Sequence, residues 1–131
     1  MEKLSSFNKQ CLFECYALMK DCVNPEHIED EEFIYSAFRK IEGYKIVLPA
    51  DIYNQMDNFI RENLYPITDD PDFFSSTHLP EFGTFDEEKG SFVVNSEESL
   101  KKIMVNFFQI SIDLEHKLDD FAIEHIRPYL L

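Results

Sequence analysis

The sequence predicts an α+β fold that is mainly α: a single compact domain, residues 1–131, with about four helices, a long C-terminal central helix and a small antiparallel sheet or hairpin. Two observations support this prediction. Apolar residues recur at alternating steps of three and four along the last quarter of the chain, as they do on one face of a helix. Around residue 90, two short stretches with aromatic and β-branched residues flank a glycine-containing turn, which is typical of a hairpin.

The C-terminal segment, residues 96–131, is predicted to form one amphipathic helix with Asn95 or Ser96 as its cap and Pro128 as its stop. Its first apolar stripe consists of Leu100, Ile103, Phe107, Ile110, Leu114, Leu118 and Phe121. A second apolar side consists of Val105, Phe108, Ile112, Ile123 and Ile126. Because both sides need a cover, we expect this helix to lie at the centre of the fold, packed against its own chain or a partner.

Two more helices are predicted in the first third of the chain. The first covers residues 4–23, and its inner stripe consists of Phe7, Cys11, Cys15, Leu18 and Cys22. The second starts at Asn24, a good cap that is followed by Pro25 in the first turn, and ends at Gly43. The three cysteines form no CxxC pair and have no histidine nearby, which indicates buried thiols in a reducing compartment rather than a metal site.

The middle of the chain is predicted to contain the short strands and one further helix. Residues 44–48 are β-branched in part and favour a strand, and residues 50–63 favour a third helix. Residues 65–80 contain three prolines and are predicted to form a long loop. The hairpin strands are predicted at residues 82–85 and 91–95, with the turn at residues 87–90.

Composition excludes several classes of function. The chain has 26 acidic and 12 basic residues, a net charge of −14, which disfavours nucleic acid and anionic membranes as ligands and favours a basic protein partner. Its three glycines are too few and too scattered for a phosphate loop or a dinucleotide motif, and no serine-hydrolase motif is present. We therefore expect no cofactor and no enzymatic activity. Residues 1–10 lack the apolar core of a signal peptide, so the expected location is the cytoplasm.

Two patterns could in principle hold a metal ion. The segment from Asp70 to Glu81 has acids at the first, third and last of twelve positions, but Ser75 replaces the glycine that a calcium loop requires. On the polar strip of the C-terminal helix, His116, Asp120 and Glu124 follow one another at steps of four. No further ligand is directed to either place, so no metal site is predicted. The helical strip remains the basis of one alternative, a small enzyme or metal-binding protein.

The strongest functional signal is an acidic, aromatic segment between residues 69 and 98. It contains nine acids and one base, Lys89, interleaved with five phenylalanines. A second run, residues 26–32, contains five acids and no base. Aromatic anchors inside a polar rim are typical of protein-binding surfaces. The residues expected to bind the partner are Asp69, Asp70, Asp72, Phe73, Phe74, Asp86, Glu87 and Glu88.

These observations predict a non-enzymatic, acidic binding protein. Its most specific form is an immunity protein or antitoxin that neutralises a basic toxin, such as a nuclease, by blocking the active site. A second hypothesis is a DNA mimic that occupies a DNA-binding protein, which requires carboxylates spaced like phosphates. A third is a structural subunit of an oligomer, in which Val105 and Ile112 on the second apolar side of the C-terminal helix form the interface.

Overall fold

The structure, a computed structural model, describes residues 3–131. Met1 and Glu2 lie outside the described residues. They are the first two residues of the segment 1–10, which lacks the apolar core of a signal peptide. The helices and strands are α1 (Ser6–Cys22), α2 (Glu31–Gly43), α3 (Ala50–Phe59), α4 (Tyr65–Asp69), β1 (Gly83–Asp86), β2 (Ser91–Val94), α5 (Glu97–His125) and α6 (Arg127–Leu130). The mainly helical α+β fold, with its two-stranded antiparallel sheet and long C-terminal helix, is therefore as predicted. Within residues 3–131, no helix combines the length and the apolar character that crossing a membrane requires.

The main core lies between α1, α2, α3 and the C-terminal half of α5. Its fully buried side chains include Leu12, Met19, Ile34, Met56, Leu64 and Leu118. Burial of one such side chain contributes about 1.5–3 kcal/mol. No residue between 68 and 113 belongs to this buried cluster, and Phe82 is buried outside it. The segment from residue 70 to residue 112 therefore forms surfaces around a core that the rest of the chain supplies.

Helix α1 presents its cysteines to this core. Cys11, Cys15 and Cys22 are buried and free, as the sequence predicts. Phe7, expected on the same stripe, is instead mostly exposed, although Leu4 before it in the chain is buried in the core. The start of the helix is capped by Ser5, whose hydroxyl oxygen accepts a hydrogen bond from the backbone N–H of Asn8 (3.1 Å).

Helix α2 starts later than predicted. Asn24 caps only a local turn, since its side-chain oxygen accepts the N–H of Glu26 (2.9 Å) and the chain remains in turns up to the helix. The cap of α2 is Asp30, whose carboxylate accepts the N–H of Phe33 (3.1 Å). Three of the five acids in the run of residues 26–32 therefore act at the positive end of a helix, as its cap and in its first turn.

The predicted strand at residues 44–48 is wrong. Tyr44–Ile46 form a 3₁₀ turn that continues α2, and the N–H groups of Val47 and Leu48 both donate to the carbonyl of Tyr44. Ile46 is 93% exposed. An isolated strand has no partner for its backbone groups here, so the helical path that α2 has already started is favoured.

The third helix is also longer than predicted. After α3 the chain makes a wider, π-helical turn at Ile60–Leu64 and then continues as α4 to Asp69. Pro66, which suggested a loop, lies in the first turn of α4, where a backbone N–H is not required. The predicted loop of residues 65–80 therefore begins only after Asp69.

The hairpin is as predicted. Strands β1 and β2 pair antiparallel with Gly83 opposite Val94 and Phe85 opposite Phe92. The turn at residues 87–90 ends at Gly90, whose φ of +64° lies in the left-handed region that glycine adopts most readily. At the other end of the ladder, β1 and β2 approach so closely that a Cβ on Gly83 would lie 2.1 Å from a backbone oxygen of β2.

Helix α5 starts at its predicted cap, because the hydroxyl of Ser96 accepts the N–H of Ser99 (3.1 Å). It runs to His125, and Pro128 follows in the first turn of α6. The first apolar stripe enters the core through Leu114 and Leu118. The second side is covered by its own chain only at Ile126; its other members, Val105, Phe108, Ile112 and Ile123, are 43–64% exposed.

Polar contacts join α1 to the C-terminal half of α5. The ammonium of Lys20 contacts the carboxylates of Glu115 (3.1 Å) and Asp119 (2.8 Å). The hydroxyl of Tyr16 donates to Asp119 (2.9 Å). These hydrogen bonds, above all the one from Lys20, hold the pKa of Asp119 below its usual value. The contacts fix α1 along α5 as far as Lys20, two residues before α1 ends.

Candidate functional site

A groove of about 640 Å³ opens between the hairpin and the segment that precedes it. We call it the hairpin groove. The residues that line it are Pro71, Asp72, Phe74, Ser75, His78, Pro80, Gly83, Thr84, Phe85 and Phe92. Its lining combines aromatic rings, small polar groups and one carboxylate. It is the place where the acidic, aromatic segment of the sequence forms a concave surface.

One wall of the groove consists of consecutive tight turns between residues 70 and 78. Backbone N–H groups donate to carbonyls three residues earlier at four successive places along this wall. Thr77 is buried, and its hydroxyl donates to the carbonyl of Phe74 (2.7 Å). From α5, the side-chain amide of Asn106 donates to the carbonyl of Ser76 (2.8 Å). The wall is therefore a hydrogen-bonded structure attached to α5 rather than an open loop.

The hairpin forms the other wall and is attached to the start of α5 through Asn95. The side-chain amide of Asn95 donates to the carbonyl of Glu81 (2.9 Å), and its amide oxygen accepts the hydroxyl of Ser99 (2.6 Å). The backbone N–H of Asn95 donates to the carbonyl of Phe82 (2.9 Å). Both walls thus share α5 as their support, which fixes the width of the groove.

The two phenylalanines predicted to bind a partner, Phe73 and Phe74, are only partly exposed, although Phe74 lines the groove. Phe73 and Phe74 are half-buried and pack against the core, with their rings in an edge contact of 4.9 Å between centroids. Phe74 also stacks on Phe107 of α5 at 6.1 Å. The exposed aromatic ring of the groove is Phe85, 62% exposed, while its cross-strand neighbour Phe92 contacts the ring of His78 at 5.0 Å.

Phe85 could have been found from strand periodicity. Alternate residues of a strand point to one face, and residues opposite each other in register share that face. Because Gly83, Phe85 and Phe92 fulfil these conditions in the predicted hairpin, their common face is implied by the sequence. The contact of that face with the turn segment is a long-range feature that no local pattern indicates.

Three of the six predicted acids present free charge near the groove. Asp72 lines it directly. Glu87 and Glu88 are exposed in the turn of the hairpin whose strand β1 carries Phe85. These three carboxylates and the ring of Phe85 are the described groups best placed to contact a partner.

The other three acids have local contacts that the sequence does not indicate. The carboxylate of Asp70 accepts the N–H of Asp72 (2.9 Å), and that of Asp86 accepts the N–H of Glu88 (3.0 Å). Such contacts stabilise turns. Asp69 lies in a different cleft, beside α2, and accepts the hydroxyl of Thr68 (3.1 Å).

The negative charge around the groove is largely uncompensated. Of the nine acids between residues 69 and 98, only Glu98 forms an ion pair within residues 3–131, with Lys102 at 3.7 Å. Like charges at this density repel one another and produce a field that attracts cations. The surface therefore favours lysine- or arginine-rich ligands.

The groove also contains a serine and a histidine, but they are not arranged as a catalytic pair. The ring nitrogen Nδ1 of His78 lies 3.2 Å from the carbonyl of Phe74, to which it donates when protonated, and 2.9 Å from the hydroxyl of Thr77. The backbone N–H of His78 donates to the carbonyl of Ser75 (3.0 Å), but within residues 3–131 no hydrogen bond joins their side chains. The geometry therefore supports binding more directly than acyl transfer.

The two sequence patterns considered as metal sites, the strip on α5 and the acidic segment from Asp70, find no support in the arrangement of the side chains. His116, Asp120 and Glu124 are all exposed on α5. Across residues 3–131, no three His, Cys, Asp or Glu side chains are grouped so that they could hold a metal ion. The acidic segment that starts at Asp70 forms turns rather than a loop that surrounds a cation.

Compared with known proteins, the chain matches no protein-family model, no curated protein and no solved structure. Its function is therefore inferred from the chemistry of its own surfaces. In the hairpin groove, a concave surface, an exposed aromatic ring and unpaired carboxylates coincide.

Proposed function

We propose that the protein is a non-enzymatic binding protein that holds a basic segment of another protein in the hairpin groove. The observation that carries this proposal is the combination of the exposed ring of Phe85 with the free carboxylates of Asp72, Glu87 and Glu88. A lysine or arginine side chain suits both features, because it packs on an aromatic face and pairs with a carboxylate.

The net charge of the chain acts on a basic partner before the two proteins touch. A net charge of −14 attracts a basic partner from a distance and raises the rate of association, with a strong dependence on salt. The aromatic groove acts after contact, because burial of Phe85 slows dissociation. Fast capture and slow release are the properties that an inhibitor needs.

The most specific form of the proposal is an immunity protein or antitoxin that blocks the basic active site of a toxin such as a nuclease. A nuclease site is built to bind phosphates, and exposed carboxylates compete for the same cationic groups. We place this activity in the cytoplasm, where the three free, buried cysteines remain reduced. A DNA mimic is less favoured, because Asp69, Asp70 and Asp86 are turned to local contacts instead of extending one row of charges.

The test is capture of basic proteins from native cell extract by the tagged full chain, at low and high salt. The first variant reverses the groove charges with Asp72→Lys, Glu87→Lys and Glu88→Lys. A matched control reverses three exposed acids elsewhere: Asp21→Lys, Glu29→Lys and Glu62→Lys. Both variants have a net charge of −8, so the overall field is the same in both.

We expect the groove variant to lose a captured protein that the control variant retains. Phe85→Ala should reduce retention without changing the salt dependence, by about 10-fold in affinity, as for a hot-spot residue. Equal loss in the two charge variants would show that the overall charge acts and the groove does not. Capture that survives the groove reversal and Phe85→Ala together would contradict the proposal.

A further inference from the structure

A second surface, on α5, is apolar and has no cover from its own chain. Met104, Val105, Phe108 and Ile112 are 43–64% exposed and follow the period of the helix. Together with Lys101 and Gln109 they line a shallow groove of about 470 Å³. We call these six residues the α5 face. A continuous apolar stripe on a soluble surface usually marks an interface.

The α5 face continues the side of α5 that α1 covers. Lys20 of α1 contacts Glu115 and Asp119, and Tyr16 contacts Asp119. These two acids follow Ile112 by three and seven residues, so they lie on the same side of α5 as the α5 face, one to two turns further along the helix. Helix α1 then ends at Cys22. The N-terminal half of this side is therefore open to a further helix.

The charge around the α5 face favours a second copy over a basic partner. Residues 97–117 carry four acids and three lysines, so they account for −1 of the chain's net charge of −14. Elsewhere the chain has a large excess of acid and repels its own copies. Residues 97–117 are close to neutral, so two copies that pack through the α5 face meet little net repulsion there, and the face offers little attraction to a cationic ligand.

One edge of the α5 face has charges that pair with opposite charges on the same edge of a second copy when the two helices run antiparallel. Lys102 and Asp113 are eleven residues, or about three helical turns, apart and lie along the same edge. When two such helices lie antiparallel, Lys102 of each copy meets Asp113 of the other. When a twofold axis relates two parallel helices, this edge faces the opposite edge of the partner, so Lys102 and Asp113 do not meet.

We propose that two copies of the chain form a symmetric dimer in which their α5 faces pack antiparallel. In this arrangement the interface is self-complementary, as a twofold axis requires. Phe108 lies near the axis, and the charged pairs at the edge fix the alignment. The dimer is independent of the proposed ligand and presents two hairpin grooves in one assembly.

The mass of the full-length chain in solution tests this inference, measured by light scattering over a concentration series up to about 0.1 mM, where even a weak dimer is populated. The unmodified chain should be a dimer. Val105→Asp with Ile112→Asp should raise the dissociation constant at least about 100-fold, because two charges enter an apolar contact. Circular dichroism should stay unchanged, since both residues are exposed in the monomer.

The matched control adds the same two charges at exposed apolar residues outside the α5 face, with Phe7→Asp and Ile46→Asp. It should remain a dimer. A monomeric unmodified chain at every concentration would overturn the inference, and so would an equal loss of dimer in the control.

Charge exchange tests the antiparallel alignment without placing charge in the apolar contact. Lys102→Asp and Asp113→Lys should each weaken the dimer, about 3- to 10-fold, and the double variant should restore it. In a parallel twofold dimer, Lys102 and Asp113 do not face each other, so the double variant would not restore what a single variant loses. Failure of the double variant to restore association would therefore refute the proposed alignment while leaving the proposed function intact.

Discussion

Gly83 determines how closely the two strands of the hairpin approach, and Gly83→Ala is expected to break that contact. A Cβ at this position would lie 2.1 Å from the carbonyl oxygen of Val93, 2.9 Å from its carbonyl carbon and 3.0 Å from the Cα of Val94. All three are backbone atoms, which cannot rotate away as a side chain can. Ordinary contacts between such atoms are about 3.5 Å, so the strands must separate by more than about 1 Å.

The free energy of unfolding should fall by about 2–3 kcal/mol in Gly83→Ala. Overpacking contributes about 1–3 kcal/mol, and the hydrogen bonds of the Gly83–Val94 pair contribute about 0.5–1.5 kcal/mol each when they are lost. Local opening of the hairpin limits the total, because the core between α1, α2, α3 and α5 does not depend on β1. Since Gly83 lines the hairpin groove, partner capture should decrease in parallel.

The assay is urea unfolding followed by far-UV circular dichroism, with Gly43→Ala as the control. A Cβ on Gly43 meets no atom within 4 Å, and its φ of −60° is helical, so this change should stabilise by about 0.5 kcal/mol. The difference between the two variants isolates the steric clash from the general effect of replacing glycine. Unfolding free energies that agree within about 0.5 kcal/mol would refute the close approach of β1 and β2.

Three further predictions concern the core and its polar contacts. Leu118→Ala should lower the free energy of unfolding by about 2–5 kcal/mol, measured in urea, because it leaves a cavity at a fully buried site. The pKa of Asp119 is lowered in the fold by Lys20, so its contribution, roughly 0.5–1 kcal/mol at this half-exposed site, should be present at neutral pH and lost as the pH falls below about 4. Burial raises the pKa of Cys15 and of Cys22 to about 12, so both thiols should resist alkylation until the chain unfolds.

Each of these expectations has a result that contradicts it. Loss of under 1 kcal/mol in Leu118→Ala would place this side chain outside the core. Asp119→Asn removes the titrating group, so its stability should converge with that of the unmodified chain in acid; a constant difference at every pH would exclude the contact with Lys20. Alkylation of Cys15 at the rate of a free thiol, followed by mass spectrometry in native buffer, would show that α1 does not bury it.

Local sequence signals are sufficient to predict α5 and the hairpin. Ser96 combines a capping hydroxyl with the start of a long apolar period, and Gly90 ends a four-residue turn, so each element is specified within a few residues. The choice between Asn24 and Asp30 as the cap of α2 is different. Both are good caps six residues apart, and the position at which the helix packs on α1 decides between them.

Long-range contacts explain the other differences between the sequence predictions and the structure. Residues 44–48 have the composition of a strand, but strand formation needs a second strand, which the fold does not supply there. In the hairpin groove, Phe74 is half-buried because Phe107 of α5 lies behind it, and Phe85 is exposed because no such ring faces it. The pattern of charges identifies the acidic segment from the sequence alone, whereas which of its rings is exposed depends on how the segment folds back on α5.

The two proposed surfaces share a structural origin in α5. Its C-terminal half supplies Leu114 and Leu118 to the core, but from residue 97 to residue 113 its only buried side chains are Ser99 and Ser111. This N-terminal half therefore contributes less to the core, which it contacts through the half-buried side chains of Phe107 and Ile110. It supports the groove walls through Asn106 and, on another side, presents the α5 face. Because stability and surface presentation reside in different halves of one helix, substitutions at either surface should alter binding or assembly while the core remains folded.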